Sequence, residues 1–202
     1  MLTKAEFAQR LKNACLTVIA AEAQLTEIDA KFGDADHGFT MAKVCNAILA
    51  AIEESDGGIQ TMLDDAAMAV MSINGGSAVP LWNTWLDGMQ EGAPEEEETD
   101  VAGIKAIFAK AFEELDEMSG AKVGDKTMMD ALIPASEAIA AYEGDSEAEL
   151  FTLAAAAAAA GAENSKNFPS KYGRAKSYGT KTIGTPDAGA MSMSCFFQGL
   201  AK

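Results

Sequence analysis

Apolar positions along this chain recur at the three- and four-residue intervals of helices, and runs that alternate every second residue are absent. In the first segment Phe7, Leu11, Cys15, Val18 and Ile19 form one stripe, the mark of a helix buried along a single face. The pattern predicts about eight helices. They run from about Thr3 to Ala30, Gly38 to Glu54, Ile59 to Ser72, and near Ser77 to before Gly92. The remaining ones run from about Asp100 to Met118, Lys126 to Tyr142, Ser146 to Asn164 and Asp187 to Ala201. Turn residues punctuate the breaks: Asp56-Gly57-Gly58, Asn74-Gly75-Gly76, Gly92-Ala93-Pro94 and Gly144-Asp145-Ser146. Ala, Leu, Met, Glu and Lys dominate, as helix propensity requires. Short turns place consecutive helices antiparallel, so the expectation is an all-α domain over residues 1–202, an up-and-down bundle or ring.

Composition narrows the partners more than the fold. At 202 residues and 49% hydrophobic content the chain can bury one sizeable core. Its 31 acidic and 15 basic residues leave a formal charge of −16. Such a surface repels nucleic-acid phosphates and anionic lipid, so neither is an expected partner. Most of that acidity keeps an Ala-rich protein soluble, and Glu95–Glu98 reads as a solvated charge run on a loop or helix start. Cys15, Cys45 and Cys195 are odd in number, widely spaced and without a C-x-x-C pair, which argues against a disulfide framework and a zinc site. The N-terminal segment lacks the apolar run of a signal peptide. Ala154–Ala160 is too short and too closely flanked by polar residues to span a bilayer. The expected location is cytoplasmic.

The chemistry concentrates in Asp29-Ala-Lys-Phe-Gly33-Asp34-Ala-Asp36-His37-Gly38, between the first two helices. Three carboxylates within eight residues repel one another unless a cation joins them, and hard oxygen ligands at this density suit Mg²⁺ or Ca²⁺. An EF-hand is excluded: counted from Asp34, the sixth and twelfth positions are Phe39 and Cys45, not Gly and Glu. The competing reading makes these aspartates ordinary N-terminal acids of the second helix. Because Mg²⁺ usually bridges a few carboxylates to substrate phosphates, a phosphate cradle is the next thing to seek. Asn74-Gly75-Gly76-Ser77-Ala78 offers exposed amides before a helix. Gly124-Asp125-Lys126-Thr127 also opens a helix but lacks the Walker A order. His37, the single histidine, is placed to donate to a phosphate oxygen. Between Glu163 and Asp187 no acidic residue occurs, yet Lys166, Lys171, Arg174, Lys176 and Lys181 all do. This long stretch reads as an unpaired basic loop, an anion-contacting lid. Nothing suggests a Ser/His/Asp or Cys/His arrangement, which suits phosphoryl transfer, where the protein positions groups and neutralises charge.

In motif order these residues resemble the DhaL-type nucleotide-binding subunit of dihydroxyacetone kinases, equivalent to the C-terminal domain of single-chain, ATP-dependent versions. The likeness spans nearly the whole chain: Asp29 with Gly33-Asp34-Ala35-Asp36-His37-Gly38, then Gly124 to Asp130, then Lys171-Tyr-Gly173-Arg174-Ala175 with Ser177-Tyr178, then Ile183-Gly184 to Ala190. It implies an eight-helix antiparallel barrel with ADP or ATP at one end and two Mg²⁺ ions bridged by Asp29, Asp34 and Asp36. His37, Gly38, Phe39, Thr40, Gly76, Ser77, Ala78, Gly120, Thr127, Met128, Arg174, Asp187 and Gly189 fall at nucleotide-contacting positions. Arg174 takes the role of stabilising the transferring phosphoryl group. Two partners are implied as well: a dihydroxyacetone-binding kinase subunit and a phosphohistidine-carrying phosphotransferase subunit. The sequence carries no sugar-binding domain, which implies the stand-alone subunit form.

The chain departs from the family pattern at Gly75-Gly76-Ser77-Ala78-Val79, where Ser and Ala are exchanged and a glycine is lost. Val79 puts a β-branched side chain where a glycine's dihedral freedom is expected. Ala188 replaces a proline, and Thr40 stands where Asn is common. These departures fit a branch acting on a different small ketose, such as a tetrulose. They also keep open a second function: a regulatory or binding protein that holds nucleotide, or an apolar ligand inside the barrel, and signals without phosphotransfer. A third reading is an acidic bundle with a structural metal.

Overall fold

The computed structural model describes every residue from Met1 to Lys202. Thr3 opens α1 (Lys4–Ala20) with a capping box, its side chain accepting from the Glu6 amide while Glu6 reaches back to the Thr3 amide. The chain continues through α2 (Glu22–Asp29), α3 (His37–Glu54), α4 (Ile59–Met71), α5 (Ala78–Glu91) and α6 (Val101–Ser119). It ends with α7 (Met129–Ala141), α8 (Glu147–Asn164) and α9 (Ala188–Leu200). Two short strands, β1 (Leu2–Thr3) and β2 (Glu98–Thr99), pair antiparallel with Leu2 opposite Thr99.

The single helix expected from Thr3 to Ala30 is two. At Ala21 (φ −90°, ψ 1°) the backbone tightens, its amide bonding the Val18 carbonyl at 3.0 Å, and α2 leaves at a new angle. That bend lays α2 against the start of α3. Contact there is so close that a Cβ on Gly38 would sit 2.1 Å from the Glu22 carbonyl oxygen. Only glycine permits this approach, and it carries Asp29 to the head of α3.

The other eight helices close a ring in chain order, α1 to α3 through α9, with α9 returning to α1. Gly199 makes this last seam: a Cβ there would lie 2.3 Å from Ala14 Cα, and Arg10 donates to the Leu200 carbonyl at 2.7 Å. The interior is filled by buried side chains. Trp82, Trp85, Phe108, Phe196 and Phe197 pack in edge-on and tilted pairs at centroid distances of 5.3–6.1 Å. The space that the alternative reading assigns to an apolar ligand is therefore occupied by these rings.

Antiparallel order sorts the helix ends. The starts of α1, α4, α6 and α8 meet at one end, where the Lys4 and Ile59 amides bond the Glu97 and Glu96 carbonyls at 2.7 and 3.2 Å. The acidic run, expected on a loop or helix start, thus serves there through its backbone, and Glu98 belongs to β2. At the opposite end lie the starts of α3, α5, α7 and α9. No helix is long and apolar enough to cross a membrane, and all three cysteines are free.

Candidate metal and anion site

Asp29 closes α2, and the chain then turns back over it. The Phe32 and Gly33 amides bond the Asp29 carbonyl, and a Cβ on Gly33 would fall 2.0 Å from Asp29 Oδ1. Ala35 adopts a left-handed φ of 62°, a conformation that L residues resist and one that separates Asp34 from Asp36. The Asp36 amide donates to Asp29 Oδ2 at 3.1 Å, completing the loop. One carboxylate oxygen from each of Asp29, Asp34 and Asp36 lies within 4.8 Å of the others. Asp36 stands at the N-cap position of α3 but makes no capping bond. The reading of these acids as helix caps does not fit that geometry.

Their mutual field is visible. Burial raises the Asp36 carboxyl above its usual range, with the charges of Asp34 and Asp29 adding to the effect. One cation answers it: Arg174 Nη2 lies 2.8 Å from Asp34 Oδ2. Three oxygens at this spacing could hold a divalent hard cation, and their donor set fits Mg²⁺.

The starts of α3, α5, α7 and α9 lie at the same end of the ring as this trio. Each brings unpaired amides and the positive end of a helix dipole. No side chain caps α3 or α5. A Cβ on Gly75 would lie 3.0 Å from Thr40 Cγ2 and 2.6 Å from Val79 Cγ2, so the turn before α5 packs tightly against α3. Gly76 and Ser77 are exposed, with open space around Gly76. Ala78 begins α5, and Val79 is buried inside it with ordinary helical backbone, so the lost glycine leaves no strain. Phe39 lies exposed on the first turn of α3 with Lys43 Nζ 4.3 Å from its ring centre.

His37 Nε2 lies 3.0 Å from Ser192 Oγ, which donates to the Gly189 carbonyl at 2.9 Å. Burial lowers the His37 pKa, partly offset by Asp29. The expected phosphate donor is thus a neutral tie between α3 and α9. A Cβ on Gly189 would lie 3.4 Å from the Met128 amide nitrogen, so the start of α9 packs beside the start of α7. Gly120, at φ 62°, caps the end of α6 in the left-handed conformation and remains exposed. The Thr127 amide donates to Asp130 Oδ2 at 2.8 Å, and Asp130 also takes the Gly124 amide.

Asp187 caps α9, accepting from the Ala190 amide at 2.8 Å, while its own amide donates to Ser165 Oγ. Burial pushes its pKa up to about 7. A carboxyl raised above its ordinary 3.8 holds its proton better when folded. Its contribution to stability is therefore complete below that value and is lost as pH rises through about 7. Asparagine keeps the cap and loses the charge. Asp187→Asn is expected to gain about 2 kcal/mol on wild type between pH 5 and 8, after discounting for partial exposure. Urea unfolding of both proteins at the two pH values measures it; parallel pH dependences would show that Asp187 ionises freely.

The basic stretch before α9 is not unpaired, as its composition suggested. Lys166 pairs with Glu163, Lys171 with Asp125 at 2.6 Å and Arg174 with Asp34; Lys176 and Lys181 make no ion pair. A 3-10 turn over Arg174–Thr182 carries Tyr178 to Phe32, with ring centres 5.3 Å apart, so the stretch lies beside the aspartate loop. Sequence reasoning missed Lys126. It is buried at a φ of 61°, and its ammonium donates to the Ser165 and Thr185 carbonyls at 2.8 and 2.5 Å. It thereby fixes both ends of the basic stretch. No spacing marks this role, because its acceptors are backbone atoms distant in sequence.

A family model described as the DAK2 domain matches residues 31–202. The L-erythrulose kinase of Pectobacterium atrosepticum is 34% identical over 185 residues, covering 88% of this chain and 31% of that protein. The ADP-binding subunit DhaL of the PEP-dependent dihydroxyacetone kinase of Escherichia coli is 28% identical over 193 residues, covering 93% of this chain and 91% of that one. The structure of the C. freundii dihydroxyacetone kinase in complex with AMP-PNP and Mg²⁺ superposes with a TM-score of 0.73 at 25% identity. That match covers 98% of this chain and 33% of the other. The chain spans about a third of the length of the erythrulose kinases it matches, at 31–32% of each.

Proposed function

The chain belongs to the DAK2 domain family, and from that membership we propose that it is the ADP/ATP-binding unit of a dihydroxyacetone-type ketose kinase. One observation carries the reading: four helix starts share one end of the ring with a trio of carboxylates beside one guanidinium. Helix starts attract phosphate and carboxylates attract Mg²⁺, so a nucleotide polyphosphate with its metal satisfies both at once. In this proposal Asp29, Asp34 and Asp36 hold two Mg²⁺ ions. Bound there, the metal neutralises phosphate charge and fixes the direction of transfer.

The backbone at Gly38, Phe39, Gly76, Ser77 and Ala78, at the starts of α3 and α5, takes the phosphates. Gly120, Thr127, Met128, Asp187 and Gly189 shape the remaining wall, with His37 and Thr40 bracing it from behind. Arg174 stabilises the phosphoryl group as it moves. The keto sugar is held by a separate kinase subunit or domain, and the phosphate comes from ATP or from a phosphohistidine-carrying partner through bound ADP. The family membership and the ADP-binding subunit among its relatives support this arrangement. The regulatory reading rested on the altered turn, and Val79 sits there without strain.

The test is calorimetric titration of ADP with and without Mg²⁺, followed by phosphotransfer assays with a ketose-binding kinase subunit. Saturable, Mg²⁺-dependent ADP binding is the expected result. Nucleotide affinity indifferent to Mg²⁺ would overturn the proposal.

A further inference from the structure

Arg174 stands where a cation is required. It is the one basic side chain paired with the aspartate trio, and it is 73% exposed, so burial does not confine it. It leaves the backbone just after Gly173, at a φ of 61°, and the same 3-10 turn is tied independently to the aspartate loop through Tyr178 and Phe32. The guanidinium can therefore leave Asp34 without the turn leaving the site. A divalent ion sits about 2.1 Å from its carboxylate oxygens. With the guanidinium on the same carboxylate, two like charges would stand a few ångströms apart and repel.

We propose that Arg174 is a surrogate counter-ion of Asp34, exchanged for the metal and thereby released toward the nucleotide phosphates, so that metal and nucleotide bind cooperatively. The inference rests on the metal–nucleotide reading above and adds a coupling between its two ligands. Coupling of this kind is reciprocal: what the arginine withholds from the metal alone it returns when a phosphate is present to receive it.

The test is Mn²⁺ binding, followed by electron paramagnetic resonance, with and without ADP. It compares wild type, Arg174→Gln, Arg174→Lys and Asp34→Asn. An exposed ion pair at this strength corresponds to about two- to five-fold in affinity. Arg174→Gln should bind Mn²⁺ alone that much more tightly than wild type, and ADP should improve its metal affinity by a smaller factor. Arg174→Lys, which keeps the charge, should stay near wild type. Metal binding by Arg174→Gln no tighter than wild type, or an unchanged ADP effect, overturns the exchange. Equal Mn²⁺ affinity in wild type and Asp34→Asn would instead remove the metal site itself.

Discussion

Alanine at Asp34 or Asp36 is expected to lower Mg²⁺-dependent ADP affinity by about 100-fold or more, and calorimetry will read it directly. The magnitude follows from the site's composition. A dication held by a small carboxylate trio loses a large part of its protein charge with each acid removed, and even indirect supports of metal ligands are worth about 10- to 100-fold. The two variants should differ in the protein without ligands. Asp36 carries a raised pKa because burial and two neighbouring charges oppose its ionisation, so its removal relieves repulsion. Asp34 is paired with Arg174, so its removal strands a guanidinium that is largely solvated. Neither change should unfold the protein, since both side chains are exposed. Undiminished ADP affinity in either variant would end the metal assignment.

Arg174→Ala is expected to reduce turnover in a reconstituted ketose kinase by about 1,000-fold while leaving KM for the ketose nearly unchanged. Guanidinium groups that meet a transferring phosphoryl group contribute on the order of 10³–10⁵ in kcat. The lower figure fits a residue that also serves Asp34 in the ground state. The split matters more than the size: an arginine that only braced the loop would raise KM for nucleotide and ketose together. Turnover within a few-fold of wild type would remove Arg174 from the chemistry.

Helix placement was readable because the breaks are written in local chemistry. Gly57-Gly58, Gly75-Gly76 and Gly144-Asp145 end one helix and begin another wherever the structure changes direction. Ala21 broke the rule, since a single tightened turn needs no glycine or proline. At α7 the helix begins at Met129, not Lys126, because Lys126 takes a left-handed conformation to reach carbonyls that no local pattern reveals. The aspartate cluster was visible as a density of charge within one short segment. Its counter-ion was not: Arg174 meets Asp34, and Lys171 meets Asp125, only after the ring has formed. The basic stretch looked unpaired for that reason. Asp187 was readable in principle as a helix cap, since its carboxyl bonds the amide three residues on.

Apart from α1 with α9, neighbours in the ring follow one another along the chain, with α2 set between α1 and α3 and the long basic stretch between α8 and α9. The exception is the seam where Gly199 meets Ala14. Joining segments so distant along the chain carries the largest loop-closure entropy in the molecule, which makes it a late event in folding. Without that seam, the rings of Phe196 and Phe197 on α9 would lose their place against Trp82, Trp85 and Phe108. The helix that completes the seam also brings Asp187, Gly189 and Ser192 to the aspartate end. Closing the ring and completing the aspartate end therefore depend on the same helix.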